Sequence, residues 1–275
     1  MATFLDRSAY INFTDYIIKS RNVDTVVVSN SQYGYYMIPY LKNKYPHIPF
    51  IDYIHSIDSR DPRGGFGKCS MDVDKYLYKT YCCNNFTKKQ LQTRFHKRNV
   101  ETLYIGTDDK RYDPKKFNKD ELKEKYNIPK NKIIISFIAR LSDEKRPLMF
   151  VEIAKKLLEK NNNLYFVIAG DGYLRRAVEK KINSNIKMLG MVSETEEIYA
   201  ISDLTINCSS LEGLALTSYE SLSMNVPVVS TDVGGQTELI DDTVGAIVHY
   251  NENASKEVYQ KEVKEYLVAV EKVLE

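Results

Sequence analysis

Residues 132–170 read KIIISFIARLSDEKRPLMFVEIAKKLLEKNNNLYFVIAG and place one amphipathic stretch between two short apolar runs. The runs at 132–138 and 164–169 have the length of buried strands, and the apolar residues of 147–158 recur with the period of a helix. A helix between two buried strands is typical of a parallel sheet. The segment therefore predicts an α/β fold.

The same alternation continues toward the carboxyl end of the chain. A second helix is predicted at 174–181, and further strands are predicted at 186–189, 204–207, 226–230 and 246–248. This set is complete enough for one doubly wound domain. Such a domain binds ligands beyond the carboxyl ends of its strands, so functional residues are expected directly after each strand.

Toward the amino end, strands are predicted at 25–29 and 49–54, with a helix between them through Tyr35, Ile38 and Leu41. A further helix is expected over 72–81. Residues 108–132 are polar and rich in lysine, contain two prolines and show one short helical pattern, so they are interpreted as a linker. We therefore expect two domains, residues 1–110 and 111–275.

The composition excludes several classes of protein. With 43% hydrophobic and 28% charged residues, the 275-residue chain has enough apolar material to fold. A net charge of +2 lacks the basic excess of a nucleic-acid-binding protein. The sequence shows neither an apolar run long enough to span a membrane nor a leader pattern at its start. Four cysteines without CxxC spacing indicate reduced thiols, so a cytoplasmic location is expected.

Two loops that follow predicted strands carry candidate ligand-binding groups. Arg140 and Lys145 leave the end of one strand and enter a helix, so they could clamp a diphosphate; the alternative is a pair of solvated surface bases. Gly170 and Gly172 follow the next strand, where they allow a tight turn and close approach of the backbone to a ligand; the alternative is a simple strand-to-helix turn.

Residues 209–220 read SSLEGLALTSYE and carry two glutamates around a predicted helix start near Leu214. Glu212 and Glu220 would accept hydrogen bonds from sugar hydroxyls, while the helix N-terminus receives phosphate. The alternative is a capping residue and a surface residue. Residues 227–240 read PVVSTDVGGQTELI and add a further strand, glycine turn and helix start, which favours convergence of several strand ends on one site.

With the E-x7-E spacing, PVV and TDVGGQTELI, residues 212–240 resemble the donor site of retaining GT-B glycosyltransferases of the glycosyltransferase 4 family, also called group 1 glycosyl transferases. The Arg140 and Lys145 pair and the GDG turn at 170–172 resemble the motifs of the same family. The resemblance implies two Rossmann-like parallel-sheet domains that face a cleft. It assigns residues 1–110 to the acceptor side and 111–275 to the nucleotide-sugar donor.

The resemblance also implies a role for each site residue. Arg140 and Lys145 would bind the donor diphosphate, Glu212 the transferring sugar, and Glu220 the ribose. Backbone groups would complete the donor pocket at Gly170, Gly172, Gly213, Leu214 and Ala215. His55 follows the strand at 49–54 and resembles the family's active-site histidine near the donor sugar; the alternative is a hydrogen-bonded histidine at a strand end.

Some features depart from the family pattern. The interdomain Asn-Gly-Val-Asp segment is replaced by residues 105–108, which read IGTD, and Ala139 replaces the glycine that usually precedes the arginine. The chain opens at what would be the middle of the first domain, so a shortened acceptor-side domain is expected.

The resemblance implies transfer of a sugar from a nucleotide-diphosphate donor to a glycan or lipid-linked hydroxyl acceptor, with retention of anomeric configuration. No metal or additional cofactor is expected, because Arg140, Lys145 and a helix N-terminus would neutralise the leaving group. The main alternative is a sugar-nucleotide-binding subunit that does not catalyse, or an inactive remnant that lacks part of the first domain. An epimerase is disfavoured by the E-x7-E pattern. Asp72 and Asp74 form a DxD triplet, for which helix capping is the favoured interpretation over metal binding.

A basic segment of the first domain suggests contact with a membrane. Residues 86–98 carry clustered bases interleaved with Phe86, Leu91 and Phe95. On a helix, such a segment could rest weakly on an anionic bilayer at the inner face of a membrane. The alternative is a helix packed on the core with a solvated basic side.

Overall fold

The computed structural model describes residues 7–58, 61–252 and 255–275. The chain divides into two compact units, Met1–Tyr104 and Ile105–Glu275. Each unit contains one sheet, and the strand pairs of both sheets are parallel. The α/β class predicted from the sequence is therefore confirmed.

The first unit has a four-stranded sheet in the order β1-β2-β3-β4. Its elements along the chain are α1 (Arg7–Ser20), β1 (Val26–Ser29), α2 (Gln32–Lys44), β2 (Phe50–Ile54), α3 (Gly65–Asp72), β3 (Lys79–Cys82), α4 (Asn85–Arg94) and β4 (Val100–Thr102). The predicted strands at 25–29 and 49–54 and the helix between them are confirmed.

The apolar core of the first unit lies on one face of the sheet. Val28 and Phe50 pack there against α2 through Tyr35, Ile38 and Leu41. A smaller cluster continues on the same face and includes Ile54, Cys82, Leu91 and Val100. On the opposite face, Val27 is 58% exposed.

The helix predicted over 72–81 is wrong. Helix α3 ends at Asp72, a short 3-10 turn follows at Asp74–Tyr76, and residues 79–82 form β3. Val73 and Leu77 are buried at nearly helical spacing, which explains the error. In β3, Thr80 and Cys82 alternate with more exposed residues and pair with β2, so sheet pairing determines the conformation.

The second unit has a six-stranded sheet in the order β10-β9-β8-β5-β6-β7. Its strands are β5 (Ile133–Ile138), β6 (Leu164–Ala169), β7 (Ile186–Gly190), β8 (Leu204–Asn207), β9 (Val228–Thr231) and β10 (Gly245–Val248). Its helices are α5 (Lys119–Lys125), α6 (Pro147–Lys160), α7 (Arg175–Glu179), α8 (Thr195–Ile201), α9 (Leu216–Ser223), α10 (Gln236–Leu239) and α11 (Lys256–Leu274). The predicted strands and helices of this region are confirmed, with small shifts at their ends.

Helices cover both faces of the second sheet. On one face, Phe137 and Phe166 pack against Phe150 of α6, and α11 adds Tyr266 and other residues to the cluster. A second cluster on the other face includes Ile134, Val167 and Tyr199. Burial on both faces explains why β5 and β6 read as almost continuous apolar runs.

The interpretation of residues 108–132 as a linker is wrong. Tyr112 and Ile128 are buried in the second cluster of the second unit. Lys123 of α5 is also buried, and its ammonium donates hydrogen bonds to the carbonyls of Lys130 at 3.0 Å and Lys132 at 3.2 Å. This polar segment therefore packs as part of the second unit. Its lysines hide this burial in the sequence, because a lysine can bury its apolar side-chain carbons while its ammonium binds carbonyl oxygens.

No helix among the described residues has both the length and the apolar character needed to cross a lipid bilayer.

Candidate functional site

The strand order of the second unit reverses between β5 and β8. From β5 the chain continues to β6 and β7 on one side, then returns to β8 on the other side. The loops that follow β5 and β8 therefore lie side by side at the carboxyl edge of the sheet, and the point where strand order reverses is the usual ligand site of this type of fold. These two loops carry Arg140, Lys145 and Glu212.

Backbone hydrogen bonds join the two loops. The amide of Ser210 donates to the carbonyl of Glu144 at 2.8 Å, which fixes the 3-10 turn Asp143–Lys145 against the loop after β8. From β9, the hydroxyl of Thr231 donates to the carbonyl of Ser209 at 2.7 Å. Loops from three strands are thereby connected through main-chain groups.

This connection brings Lys145 and Glu212 into an ion pair. The hydroxyl of Ser209 donates to the same carboxylate oxygen, Oε1 of Glu212, at 2.7 Å. The side chains of Lys145 and Glu212 are 24% and 12% exposed, so the pair is shielded yet accessible from solvent. The structure thus brings together two residues that are 67 positions apart in the sequence.

Arg140 lies on the loop between β5 and the Asp143–Lys145 turn. Arg140 is exposed, and it forms no ion pair with another residue of the described ranges. Burial raises the pKa of the nearby Glu144 carboxyl, but hydrogen bonds and the positive charges of Lys145 and Arg140 outweigh it and hold that pKa below its ordinary value. Both bases therefore contribute positive potential to the same loop.

Arg146 follows Lys145 in the sequence, but its side chain is held in the core. Its guanidinium donates two hydrogen bonds to Glu262 of α11 and one to the carbonyl of Cys208, and it lies 5.0 Å from the ring of Tyr250. This contact fastens the start of α6 to α11. Sequence reasoning missed it, and no local signal relates Arg146 to a partner 116 residues away.

The glycines at 170 and 172 are explained by contact with the Arg140 loop. A Cβ at Gly170, where φ is +142°, would lie 1.9 Å from the carbonyl oxygen of Ala139. At Gly172 it would lie 2.4 Å from the carbonyl oxygen of Leu141. The close approach that the sequence suggested is therefore made to a neighbouring loop.

The predicted donor-pocket residues Gly213, Leu214 and Ala215 are buried just before α9. The helix begins at Leu216, two residues later than predicted, with Ala215 as its N-cap. The carbonyl of Gly213 accepts a hydrogen bond of 2.7 Å from the amide of Gly235, so the loop after β9 lies against this segment.

Glu220 lies on α9 and is held by a buried tyrosine. The hydroxyl of Tyr199 donates to its carboxylate at 2.8 Å, and the ring of Tyr199 packs edge-on against Tyr112 at 6.1 Å. Burial, followed by the charge of Glu220, raises the pKa of Tyr199, which keeps the phenol protonated as a donor. Among the described residues, Glu220 and Glu212 accept hydrogen bonds from different donors.

His55 belongs to the first unit and directly follows β2. Its Nε2 lies 2.7 Å from the hydroxyl of Ser29, and its ring packs edge-on against Tyr53 at 4.9 Å. Its backbone amide donates to the side-chain oxygen of Asn30 at 3.3 Å. Burial lowers the pKa of His55 below its ordinary value of 6.5, so the imidazole is neutral at pH 7.

The DxD residues serve structural ion pairs. Asp72 is the last residue of α3 and pairs with Lys68. No helix starts there for it to cap, so the capping role predicted from the sequence is wrong. Asp74 pairs with Lys97, whose side chain is fully buried. Across residues 7–58, 61–252 and 255–275, no cluster of three or more histidine, cysteine or acidic residues could hold a metal ion.

Two Rossmann-like α/β units, each with a parallel sheet, and the similarity to solved structures define this chain as a protein of the GT-B fold class. The model of the family described as glycosyl transferases group 1 matches residues 118–268, more than half of the chain. The chain therefore belongs to this family. The match lies in the second unit, as does the ion pair of Lys145 and Glu212.

Several known proteins are similar to this chain in sequence or in fold. A Campylobacter jejuni α-1,4-N-acetyl-D-galactosaminyltransferase, whose name specifies an undecaprenol-diphosphate-linked substrate, is 36% identical over 129 residues, or 45% of this chain and 35% of that protein. A Rickettsia africae glycosyltransferase structure matches all of this chain and 78% of its own, with a TM-score of 0.73 and 22% identity. Anabaena HepE in complex with UDP and glucose matches 99% of this chain and 76% of its own, with a TM-score of 0.76 and 14% identity.

The chain matches between 35% and 42% of the length of three such curated relatives.

Proposed function

We propose that this protein transfers a sugar from a nucleotide-diphosphate donor to a hydroxyl acceptor, with retention of anomeric configuration and without a metal. The observation that carries the proposal is the Lys145–Glu212 pair at the point where the strand order reverses, with Arg140 exposed on the adjoining loop. Membership of the group 1 family supports it. The HepE structure supports UDP-linked sugars as the first donors to test.

The residues of the second unit suit the two ends of such a donor. Arg140 and Lys145 would bind the diphosphate and stabilise the negative charge that develops as the sugar leaves. The N-terminus of α9, with the backbone of Gly213, Leu214 and Ala215 before it, would add its positive partial charge. Gly170 and Gly172 would shape the neighbouring wall of the donor pocket.

The glutamates would recognise hydroxyl groups. Glu212 would accept a hydrogen bond from a hydroxyl of the transferring sugar, and Glu220, already fixed by Tyr199, would accept from the ribose. His55 of the first unit, neutral at pH 7, would bind a sugar hydroxyl.

The chemical step would exchange one bond for another at the anomeric carbon. The acceptor oxygen attacks from the face that the diphosphate leaves, so the configuration is retained. The bond from the anomeric carbon to the phosphate oxygen breaks with its electron pair on phosphate, and the acceptor proton passes to that departing oxygen. No strong general base is then needed, since the leaving group itself takes the proton.

We propose a glycan or lipid-linked acceptor and a cytoplasmic protein that contacts the inner face of a membrane weakly. The Campylobacter relative supports a lipid-linked acceptor. Helix α4 and the segment after it provide a limited surface, because Leu91 of the helix and Lys97 beyond its end are buried, while Phe86 is 44% exposed and Lys89 is exposed. This is close to the core-packed alternative, so only weak, salt-sensitive contact is expected.

The test combines binding and turnover. Titration calorimetry with UDP, GDP and their common sugar conjugates identifies the donor, and proton NMR of the anomeric signal follows transfer to an acceptor panel that includes lipid diphosphate-linked sugars. Expected are binding and a retained anomer, both unchanged by EDTA. Absence of nucleotide binding, an inverted product, or a loss on chelation that manganese restores would each contradict the proposal.

A second candidate is a sugar-nucleotide-binding subunit without transferase activity. It is favoured by one observation: the family match and the Lys145–Glu212 pair both lie in the second unit. Donor binding without transfer to any acceptor, and without donor hydrolysis, would support this function over the first.

A further inference from the structure

The two carboxylate oxygens of Glu212 are used unequally. Oε1 receives both the ammonium of Lys145 and the hydroxyl of Ser209, the latter at 2.7 Å. No residue within the described ranges bonds to Oε2. One oxygen is therefore saturated by the protein, and the other is open to a ligand.

The two groups that hold Oε1 differ in how firmly they are fixed. Ser209 is 1% exposed, its amide donates to the side-chain oxygen of Asn207 at 3.0 Å, and its carbonyl accepts from Thr231 at 2.7 Å. The backbone that carries this hydroxyl is therefore held in place. The ammonium of Lys145 instead lies at the end of a flexible four-carbon chain, and the side chain is 24% exposed. It can therefore change partners at little cost.

We propose that Lys145 changes partner during donor binding, from Glu212 to the diphosphate, and that Ser209 is the positioning residue that keeps Glu212 oriented after the exchange. A diphosphate carries more negative charge than one carboxylate, which favours the exchange. The Ser209 hydroxyl then remains on Oε1, and Oε2 accepts the sugar hydroxyl. This inference rests on the proposed donor site.

The exchange predicts opposite effects for the two members of the ion pair. Glu212→Gln keeps an acceptor for Ser209 but removes the charge that competes for Lys145, so bare UDP, or GDP if that is the nucleotide bound, should bind about two- to fivefold more tightly. Lys145→Ala should weaken binding of the same nucleotide. Weaker binding in Glu212→Gln would overturn the exchange, because a merely structural glutamate would loosen the site when altered.

The role of Ser209 predicts a change confined to the sugar. In Ser209→Ala, bare nucleotide should bind as in the wild type, while the ratio of sugar-nucleotide affinity to bare-nucleotide affinity should fall about fivefold or more, since the orientation of one charge-assisted hydrogen bond is lost. The matched control is Ser210→Ala, whose hydroxyl contacts the carbonyl of Glu144 at 3.3 Å and not Glu212. Its ratio should equal that of the wild type.

Calorimetric titration of the four variants and the wild type measures both quantities, with circular dichroism to check folding. An unchanged affinity ratio in Ser209→Ala would overturn the positioning role. If Ser209→Ala fails to fold, Glu212→Gln still tests the exchange. Failure of the wild type to bind any nucleotide would instead refute the proposed function, so the two failures are distinguishable.

Discussion

Replacing Gly234 by alanine should displace the loop that carries Glu212. Gly234 has a φ of +62°, and a Cβ there would lie 2.3 Å from the carbonyl oxygen of Glu212 and 2.4 Å from that of Gly213. The first contact is about 0.7 Å shorter than the 3.0 Å below which real Cβ contacts essentially do not occur, and both partners are backbone atoms. One loop must therefore move.

The cost can be estimated from three contributions. The left-handed conformation disfavours alanine by about 1–2 kcal/mol, and forced overpacking adds about 1–3 kcal/mol. Lower entropy of the unfolded chain returns about 0.4–1 kcal/mol. We expect the free energy of unfolding of the second unit to fall by about 1–5 kcal/mol, or its Tm by about 3–15 °C. Donor binding should weaken at least about tenfold, because an angstrom-scale displacement of a recognition group is costly.

Thermal denaturation and donor titration of Gly234→Ala measure these effects. Gly106→Ala is the matched control, since a Cβ at Gly106 has no atom within 4 Å and its φ is not in the left-handed region. The control should be neutral or slightly stabilising. If Gly234→Ala matched the control in both Tm and donor affinity, the packing of the two loops would not position Glu212 and the reasoning would be refuted.

Arg140→Ala should weaken nucleotide binding by about 1–3 kcal/mol by calorimetry, and by more than Lys145→Ala, because Lys145 must first leave its carboxylate partner; equal or smaller loss would contradict this. Burial raises the pKa of Asp52 above its ordinary value of 3.8, so the stability of the first unit should fall as pH rises from that value through the raised pKa. Asp52→Asn should flatten this dependence in urea unfolding measured from pH 4 to pH 8, and an unchanged slope would argue against it. Lys89→Glu should abolish any low-salt cosedimentation with anionic vesicles; binding that persists in the variant would place the membrane contact elsewhere.

Strands β5 and β6 of the second unit were predictable because they are buried along almost their whole length. All six residues of β6 are buried, which produces an uninterrupted apolar run in the sequence. Strand β3 has alternating burial and only four residues, so its periodic signal was weaker than that of the apolar residues before it. Local pattern predicts an element well where both faces are covered, and poorly where pairing with a neighbouring strand decides.

The charged residues of the candidate site were predictable from the sequence, and the residues that hold them in place were not. Glu212 and Lys145 follow strands, and the general rule for ligand sites in parallel sheets identifies such positions. Ser209 has no comparable signal, because its role depends on a contact of its hydroxyl with Glu212 and on two bonds of its backbone. Arg146 adjoins Lys145 in the sequence, yet it binds Glu262 in the core.

The pairing of Lys145 with Glu212 is a consequence of strand order. The sequence places β6, β7 and their helices between β5 and β8, so the two residues are distant along the chain. Only because β8 returns to pair with β5, through Ile135 with Leu204 and Ser136 with Thr205, do the loops at their carboxyl ends meet. Had β8 been added beside β7, the same residues would have been separated by two strands at about 4.8 Å per strand spacing, and no ion pair could form. The reversal of strand order therefore brings the two loops together, and the hydrogen bond from the backbone amide of Ser210 to the carbonyl of Glu144, which Ser210→Ala would leave in place, holds them there.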